Sequence, residues 1–155
     1  MRIYFGAAIQ GQKDRTERVE INRKFVQFLK DQGHHVVSEH TTGMNKEEVA
    51  AILEREFGAL PPVGPERTKF IRRKMIEAVE GDIDAAIFEV SVPSLGTGIE
   101  IAHAYLRPRL GLKPIKIITL YEKDYWPNKL SSMIRGIDTQ EFPNIEVVEY
   151  SSLEE

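Results

Sequence analysis

Five short apolar segments alternate along the chain with amphipathic ones, which leaves few folds open. The apolar segments have the length and composition of strands, whereas in the others apolar residues recur at helical spacing. The predicted strands are Arg2–Phe5, His35–Ser38, Ala85–Val90, Ile115–Tyr121 and Ile145–Tyr150, and the predicted helices are Arg18–Gln32, Lys46–Phe57, Glu66–Gly81, Gly98–Leu106 and Lys129–Arg135. This alternation predicts an α/β fold, a parallel sheet flanked by helices, whose ligands bind outside the carboxyl ends of the strands.

The size and charge of the chain narrow the classes of function. Its 155 residues correspond to one domain, and the absence of cysteine excludes disulfides, a cysteine nucleophile and thiolate metal ligands. The formal charge of -3 means that the chain has no excess of basic residues of the kind that binds nucleic acid, so its charge is more consistent with a small-molecule ligand. The sequence has no apolar run of the roughly 20 residues that a membrane span needs, and its first residues lack a signal-peptide pattern. We therefore expect a cytoplasmic protein that binds neither nucleic acid nor membrane.

Two glycine-bearing loops follow predicted strands, and neither matches a common phosphate motif. Residues 6–13 nearly spell a P-loop, but Gln12 displaces the lysine and Asp14 stands where a hydroxyl would bind magnesium. Residues 96–101 begin like a dinucleotide fingerprint, but Ile101 stands where the third small residue belongs. Neither loop therefore indicates a nucleotide cofactor. His34, His35 and His40 lack the His-x-x-x-His spacing of metal ligands on a helix, so we also expect no metal.

The second loop still suits an anion. Residues 91–98 leave an apolar strand and open a helix, where backbone N–H groups and the helix dipole favour phosphate, and Ser94 adds a hydroxyl donor. The alternative is an ordinary capped turn. Glu100 falls in the first turn of the predicted helix, where the dipole favours an ionised carboxylate that is ready to act as a nucleophile. The alternative for Glu100 is a residue that only stabilises the start of the helix.

Four segments, in this order along the chain, resemble the nucleoside 2-deoxyribosyltransferase family: Ile3–Gly11, Ser38–His40, Glu89–Glu100 and Leu130–Gly136. They are most similar to the 2'-deoxynucleoside 5'-phosphate N-hydrolase branch, and only residues 41–69 and the carboxyl-terminal tail lack support. The resemblance implies that residues 1–155 form a single nucleoside 2-deoxyribosyltransferase-like domain with a Rossmann-like, flavodoxin-like sheet. It also implies cleavage of the N-glycosidic bond between a base and its sugar, without a cofactor.

The resemblance assigns roles to individual residues. Glu100 would attack the anomeric carbon, and Tyr4, at the end of the first strand, would hold it by a hydrogen bond. The substrate would be a nucleoside 5'-monophosphate or a deoxynucleoside, and Ser131 of a neighbouring subunit would complete the phosphate site in a homodimer. Met133 and His40 would line the base pocket, although a histidine after a strand is more often a surface residue. The predicted substrate-binding residues are Gly6, Ile9, Gly11, His40, Ser94, Gly96, Gly98, Ser131 and Met133.

The sequence departs from the family pattern at the position of the acid that helps the base to leave. Relatives carry an aspartate on the helix before the third strand, and counting back from Asp84 places Ile76 there. Glu77 is the adjacent carboxylate, but one residue turns a helix by about 100°, so it serves as the acid only if the helix is shifted. Loss of general acid catalysis typically lowers a rate by about 10²- to 10⁴-fold.

The first loop departs as well, because Ala8 and Gln10 stand where the relatives have serine and arginine, which weakens the expected phosphate contacts. Three functions therefore stay open. They are a hydrolase of nucleoside monophosphates, a transferase that exchanges bases on unphosphorylated deoxynucleosides, and a nucleotide-binding protein that has lost the chemistry.

Overall fold

Five strands form one parallel sheet in the computed structural model, which describes residues 1–9, 15–123, 125, 130–137 and 139–153, without the side chains of Arg15, Thr16 and Glu39. The strands are β1 (Arg2–Ala7), β2 (His35–Val37), β3 (Ala85–Glu89), β4 (Lys116–Glu122) and β5 (Ile145–Tyr150). The helices are α1 (Arg15–Asp31), α2 (Lys46–Phe57), α3 (Pro65–Glu80), α4 (Leu95–Tyr105) and α5 (Ser132–Arg135). The order β2-β1-β3-β4-β5 confirms the predicted flavodoxin-like α/β fold.

Two short 3-10 helices, Glu39–Thr42 and Arg107–Leu110, were not predicted. The predicted end of β1 was also wrong. Gly6, which we expected to begin a turn, pairs with Phe88 of β3, so the strand continues to Ala7 and Tyr4 lies in its middle. Backbone hydrogen bonding across the sheet therefore outweighs the weak strand propensity of glycine.

Helix α4 begins three residues earlier than predicted, at Leu95 instead of Gly98. Ser94 is its N-cap, and its side chain accepts a hydrogen bond from the Thr97 backbone N–H at 3.3 Å. This cap stabilises a first turn that contains two glycines. Glu100 consequently lies in the second turn, and its predicted placement in the first turn was wrong.

Helices cover both faces of the sheet. Tyr4 and Phe88 pack with Val79 of α3 and Ile101 of α4 in one core cluster, whereas Phe5 and its neighbours pack against α1 in another. Side chains alternate along a strand, so Tyr4 faces α3 and α4. The strand order reverses between β1 and β3, and sheets of this kind bind ligands outside the carboxyl ends of the strands at such a switch point.

A buried ion pair joins α1 to the carboxyl end of β3. Arg18 and Glu89 are 1% and 2% exposed, and Nη2 of Arg18 lies 2.7 Å from Oε1 of Glu89. The Tyr150 hydroxyl donates to the same oxygen at 3.1 Å, the Ser91 hydroxyl also donates to it, and Arg18 pairs further with Glu122. This network fixes the start of the loop that leads into α4.

No helix in the ranges given above is long and apolar enough to cross a membrane.

Candidate active site

Glu100 and Tyr4, predicted to act together, are in contact. Glu100 lies in the second turn of α4 with Oε2 beside Gly6 of β1, and the Tyr4 side chain acts on its carboxylate and favours the ionised form. Tyr4, a residue of β1, is completely buried under the helices that cover this face of the sheet. A carboxylate held in this way at the switch point of the sheet has a fixed orientation.

The surroundings of Glu100 oppose its ionisation. Burial raises the pKa of Glu100 to about 7, and the hydrogen bond from Tyr4 offsets only part of that effect. We had expected the helix dipole to keep the carboxylate ionised, but that effect fades beyond the first turn. Burial and the nearby Glu100 raise the pKa of Tyr4 well above its usual value, so the tyrosine remains a hydrogen-bond donor.

Gly6 contributes close packing to the site. A Cβ on Gly6 would lie 2.6 Å from Cδ1 of Phe88 and 3.0 Å from Oε2 of Glu100, closer than an added carbon tolerates. Ile9, which follows β1, is partly buried. Gly11, also predicted to bind substrate, lies outside the described residues. Among the described residues of this segment, Gly6 is the one that packs against the carboxylate.

His40 is buried, so its interpretation as a surface residue was wrong. Its ring is 5% exposed, and Nδ1 lies 3.0 Å from Oγ of Ser38. Burial lowers the pKa of His40 to about 4, which keeps the imidazole neutral. Ser38 also acts on Tyr4 and offsets part of the rise in the pKa of Tyr4, so Ser38 and His40 belong to the surroundings of the Tyr4–Glu100 pair. Sequence reasoning missed Ser38, although it begins one of the segments that carry the family resemblance.

On α3, the side chain that reaches this group belongs to Met75 and not to Ile76. The Met75 sulfur lies 3.9 Å from the Tyr4 hydroxyl and 3.6 Å from the Ser38 hydroxyl, while Ile76 is only partly buried. The position that counting back along the sequence selects, Ile76, therefore remains a prediction, and the residue of α3 in contact with Tyr4 is Met75. Neither methionine nor isoleucine donates a proton.

Glu77 does not join the site. Its side chain is 52% exposed and accepts a hydrogen bond from Nζ of Lys74 at 2.9 Å. This hydrogen bond lowers the pKa of Glu77, which suits a surface ion pair and opposes a role as a general acid. A different carboxylate, Glu56 of α2, acts electrostatically on Tyr4 and raises its pKa. Glu56 belongs to the stretch that no sequence motif covered.

The start of α4 bears on both interpretations of the loop before it, a capped turn and an anion site. Ser94 caps the helix, so the capped turn is present. A Cβ on Gly98 would meet nothing within 4 Å among the described residues, and one on Gly96 would meet only Oγ of Ser94 at 3.8 Å. Packing within the described chain therefore does not demand these glycines. The Gly98 N–H donates to the Ser94 carbonyl at 3.0 Å and the Thr97 N–H to the Ser94 hydroxyl, so an anion would have to be bound by the N–H groups that come before them in the first turn.

Ser131 and Met133 lie on another side of α4. Together with Ser94 and Gly98 they line a cavity of about 520 Å3, and the described residues around it do not include Glu100. The predicted substrate residues thus fall into two groups. One group surrounds Glu100 and the other faces outward.

The comparisons with known proteins agree with the motifs. The chain matches no family model. It is 31% identical over 155 residues to a protein of Thermofilum pendens (strain DSM 2475 / Hrk 5) that is described as "Putative 2'-deoxynucleoside 5'-phosphate N-hydrolase 1". The similarity covers 100% of this chain and 89% of the relative, and so includes residues 41–69, where we had found no motif.

Proposed function

The chain belongs to the 2'-deoxynucleoside 5'-phosphate N-hydrolase branch of the nucleoside 2-deoxyribosyltransferase family, and we propose that it cleaves the base–sugar bond of (deoxy)ribonucleoside 5'-monophosphates. The observation that carries this proposal is the carboxylate of Glu100, which a buried tyrosine holds at the switch point of the sheet. The description of the relative as an N-hydrolase favours hydrolysis over transfer of the sugar between bases.

Glu100 acts as the nucleophile. One of its carboxylate oxygens attacks the anomeric carbon while the electron pair of the N-glycosidic bond departs with the base. The resulting glycosyl ester is hydrolysed by water, so the configuration at the anomeric carbon is retained. Tyr4 donates its hydrogen bond to the ionised carboxylate and so sets the direction in which the other oxygen points.

The amino terminus of α4 binds the 5'-phosphate. Gly96 lies four residues before Glu100, and therefore on the same side of the helix and roughly 6 Å along its axis. The N–H of Gly96, in the first turn of the helix, and the hydroxyl of Ser94 supply the donors, while the Gly98 N–H is bonded to the Ser94 carbonyl and Gly98 leaves room for the phosphate. One nucleotide can thus place its phosphate on the first turn and its sugar beside Glu100.

A second copy of the chain covers the outward cavity. Leu95, Ile99 and Met133 are 91%, 48% and 81% exposed, a concentration of apolar surface that is typical of an interface. Ser131 and Met133 line this cavity together with Ser94 and Gly98 but without the Glu100 of their own chain, and in a homodimer Ser131 and Met133 would reach the nucleotide bound at the Glu100 of the second copy. Light scattering tests this, and a protein that stays monomeric with substrate bound would remove both residues from the site.

A nucleotide-binding protein without catalysis is the second candidate, and Met75 favours it. A thioether stands on the surface of α3 that faces Tyr4, where a catalytic acid would assist departure of the base. Glu100→Gln distinguishes the two candidates. It abolishes turnover by an enzyme, whereas a binding protein has no turnover to lose and keeps its ligand.

The test is product analysis with a panel of ribo- and deoxyribonucleoside 5'-monophosphates and nucleosides, each with and without added free base. Release of base from monophosphates by the wild type but not by Glu100→Gln supports the hydrolase. Glu54→Gln, at an exposed position on α2, is the matched control and should behave as wild type. Release that depends on added base indicates the transferase. No release, together with a ligand-induced rise in Tm, indicates the binding protein.

A further inference from the structure

The loop between β3 and α4, residues 90–94, leads into the first turn of α4 and is held at both ends. At its beginning, the backbone N–H of Val90 donates to the carbonyl of Leu120 in β4 at 2.9 Å. At its end, Ser94 caps α4. Between the two ends lies Ser91, which is 1% exposed. The contacts of Ser91 therefore decide how firmly the middle of the loop is fixed.

The hydroxyl of Ser91 bridges the carboxyl ends of two strands. It donates to Oε1 of Glu89, the last residue of β3, and it accepts from the backbone N–H of Glu122, the last residue of β4, at 2.8 Å. A hydroxyl has one hydrogen and two lone pairs, so both bonds can be made at once. The backbone N–H of Ser91 also donates to Oε1 of Glu89, at 3.3 Å. Ser91 thus ties the loop to both strands.

The acceptor of these bonds, Glu89, belongs to a buried charged group. Nη2 of Arg18 lies 2.7 Å from Oε1 of Glu89, and the Tyr150 hydroxyl donates to the same oxygen at 3.1 Å. Hydrogen bonds to a charged acceptor are about twice as strong as those between neutral groups. Arg18 and Glu89 are buried, so water does not compete for these bonds. The middle of the loop is therefore anchored on a strong acceptor inside the protein.

We propose that Ser91 is a positioning residue for the 5'-phosphate of the substrate. Its side chain is buried and bonds to Glu89 and Glu122, so it acts on the ligand through the loop. The bridge fixes the place of the two phosphate donors, the hydroxyl of Ser94 and the N–H of Gly96. Donors that are already in place lose little conformational freedom when the ligand binds. The inference rests on the proposed function, which assigns the phosphate to this turn.

The second turn of α4 is held by contacts that do not involve Ser91. Ile101 is 1% exposed in the core cluster beneath the helix, and Glu100 lies against Gly6 of β1. Loss of the Ser91 hydroxyl should therefore loosen the phosphate turn and leave Glu100 in place. The protein should then bind the phosphate more weakly and the nucleoside part of the substrate as before.

The test is isothermal titration calorimetry with the common 2'-deoxynucleoside 5'-monophosphates and with their nucleosides. Every protein carries Glu100→Gln, so that no ligand is consumed, and this protein without further changes is the parent. Ser91→Ala removes the hydroxyl, and Ser91→Cys replaces it by a weaker hydrogen-bonding group of similar size. Both should fold, because Glu89 keeps its bonds to Arg18 and Tyr150.

We expect Ser91→Ala to raise the Kd for monophosphates by about tenfold, as for the loss of one hydrogen bond, and to change the Kd for nucleosides by less than about twofold. Ser91→Cys should change both values in the same direction by less. Ser91→Thr keeps the hydroxyl and should restore the parent values. Ser152→Ala removes a hydroxyl at an exposed position and is the matched control.

The proposal is overturned if folded Ser91→Ala and Ser91→Cys bind the monophosphates as tightly as the parent does. Equal losses of affinity for monophosphates and nucleosides also overturn it, because Ser91 then only stabilises the fold. A parent that binds nucleosides as tightly as monophosphates has no phosphate site, and the proposed function then fails together with this inference. A parent whose preference for monophosphates is unchanged in the variants defeats this inference alone.

Discussion

Gly6 lies so close to Glu100 and to the ring of Phe88 that only a hydrogen atom fits at its side-chain position. A Cβ on Gly6 would lie 3.0 Å from Oε2 of Glu100 and 2.6 Å from Cδ1 of Phe88. Gly6→Ala should therefore displace the carboxylate and lower the free energy of unfolding by about 1–3 kcal/mol, the usual cost of overpacking. Urea unfolding and the rate of base release measure the two effects.

Gly98→Ala is the matched control for stability. A Cβ there meets nothing within 4 Å among the described residues, and alanine is favoured over glycine in a helix by up to about 1 kcal/mol. The two glycine variants should thus change stability in opposite directions. Equal losses would show that Gly6 is not specially constrained.

The sheet could be predicted from sequence because buried parallel strands are apolar on both faces. Ala85–Glu89 is the clearest example, and its surroundings in the centre of the sheet match its composition. The start of α4 could not be placed, because the two glycines after Ser94 have weak helix propensity and only the cap contact shows that they are helical. That error moved Glu100 by one turn, and the direction of its pKa shift was also missed because burial, which the sequence does not show, raises it.

The parts of the site that sequence reasoning missed depend on how helices lie against the sheet. Glu100 and Tyr4 were found because a motif names them. Met75 and Glu56 were missed because strand and helix patterns do not specify which residue of α2 or α3 faces β1. Ser38 was missed because its left-handed backbone has no signature in a serine.

Tyr4→Phe should shift the pH dependence of catalysis. Glu100 must be ionised to attack and has a pKa of about 7, so kcat/KM should rise with pH up to about 7 and then level off. The hydrogen bond from Tyr4 favours the ionised form, so its loss should move this rise to higher pH and lower the rate at pH 7. A pH–rate profile measures the shift. An unchanged profile in an active Tyr4→Phe enzyme would show that another group sets the pKa.

Glu100 should make the protein less stable as the pH rises. Its folded pKa of about 7 exceeds the ordinary value of 4.5, so between these values the folded state binds a proton that the unfolded state has lost. Its contribution is fully present below pH 4.5 and is lost as the pH rises through 7. Glu100→Gln removes the effect, so the variant should gain about 2–3 kcal/mol relative to wild type between pH 4.5 and 8.

Denaturant unfolding of both proteins across this pH range measures the difference. His40 has a folded pKa lowered to about 4, so its contribution has the opposite sign and is lost as the pH falls from 6.5 toward 4. Both proteins contain His40, so its contribution cancels in the comparison. A constant difference between Glu100→Gln and wild type would contradict the raised pKa.

Breaking the ion pair between Arg18 and Glu89 should destabilise the fold strongly. Both side chains are buried, and Glu89 also accepts from Tyr150. Arg18→Met leaves a buried carboxylate without its cation, and such losses cost about 3–5 kcal/mol. The double variant Arg18→Met/Glu89→Gln should recover part of that loss in urea unfolding. Full additivity of the two single changes would argue that the pair is not coupled.

The preferred substrate should be a nucleotide whose base needs no proton in order to leave. Departure of an ordinary base is assisted by an acid, and on α3 the side chain that faces Tyr4 is the thioether of Met75. A cationic base such as 7-methylguanine leaves as a neutral molecule, because the electron pair of the broken bond cancels its charge. We expect kcat/KM for 7-methylguanosine 5'-monophosphate to exceed that for guanosine 5'-monophosphate by about 10²- to 10⁴-fold, the usual contribution of a general acid.

Met75→Asp is the companion variant: it places an acid beside Tyr4 and should accelerate release of guanine without accelerating release of 7-methylguanine. Equal rates on the two nucleotides in the wild type would show that another group already protonates the base.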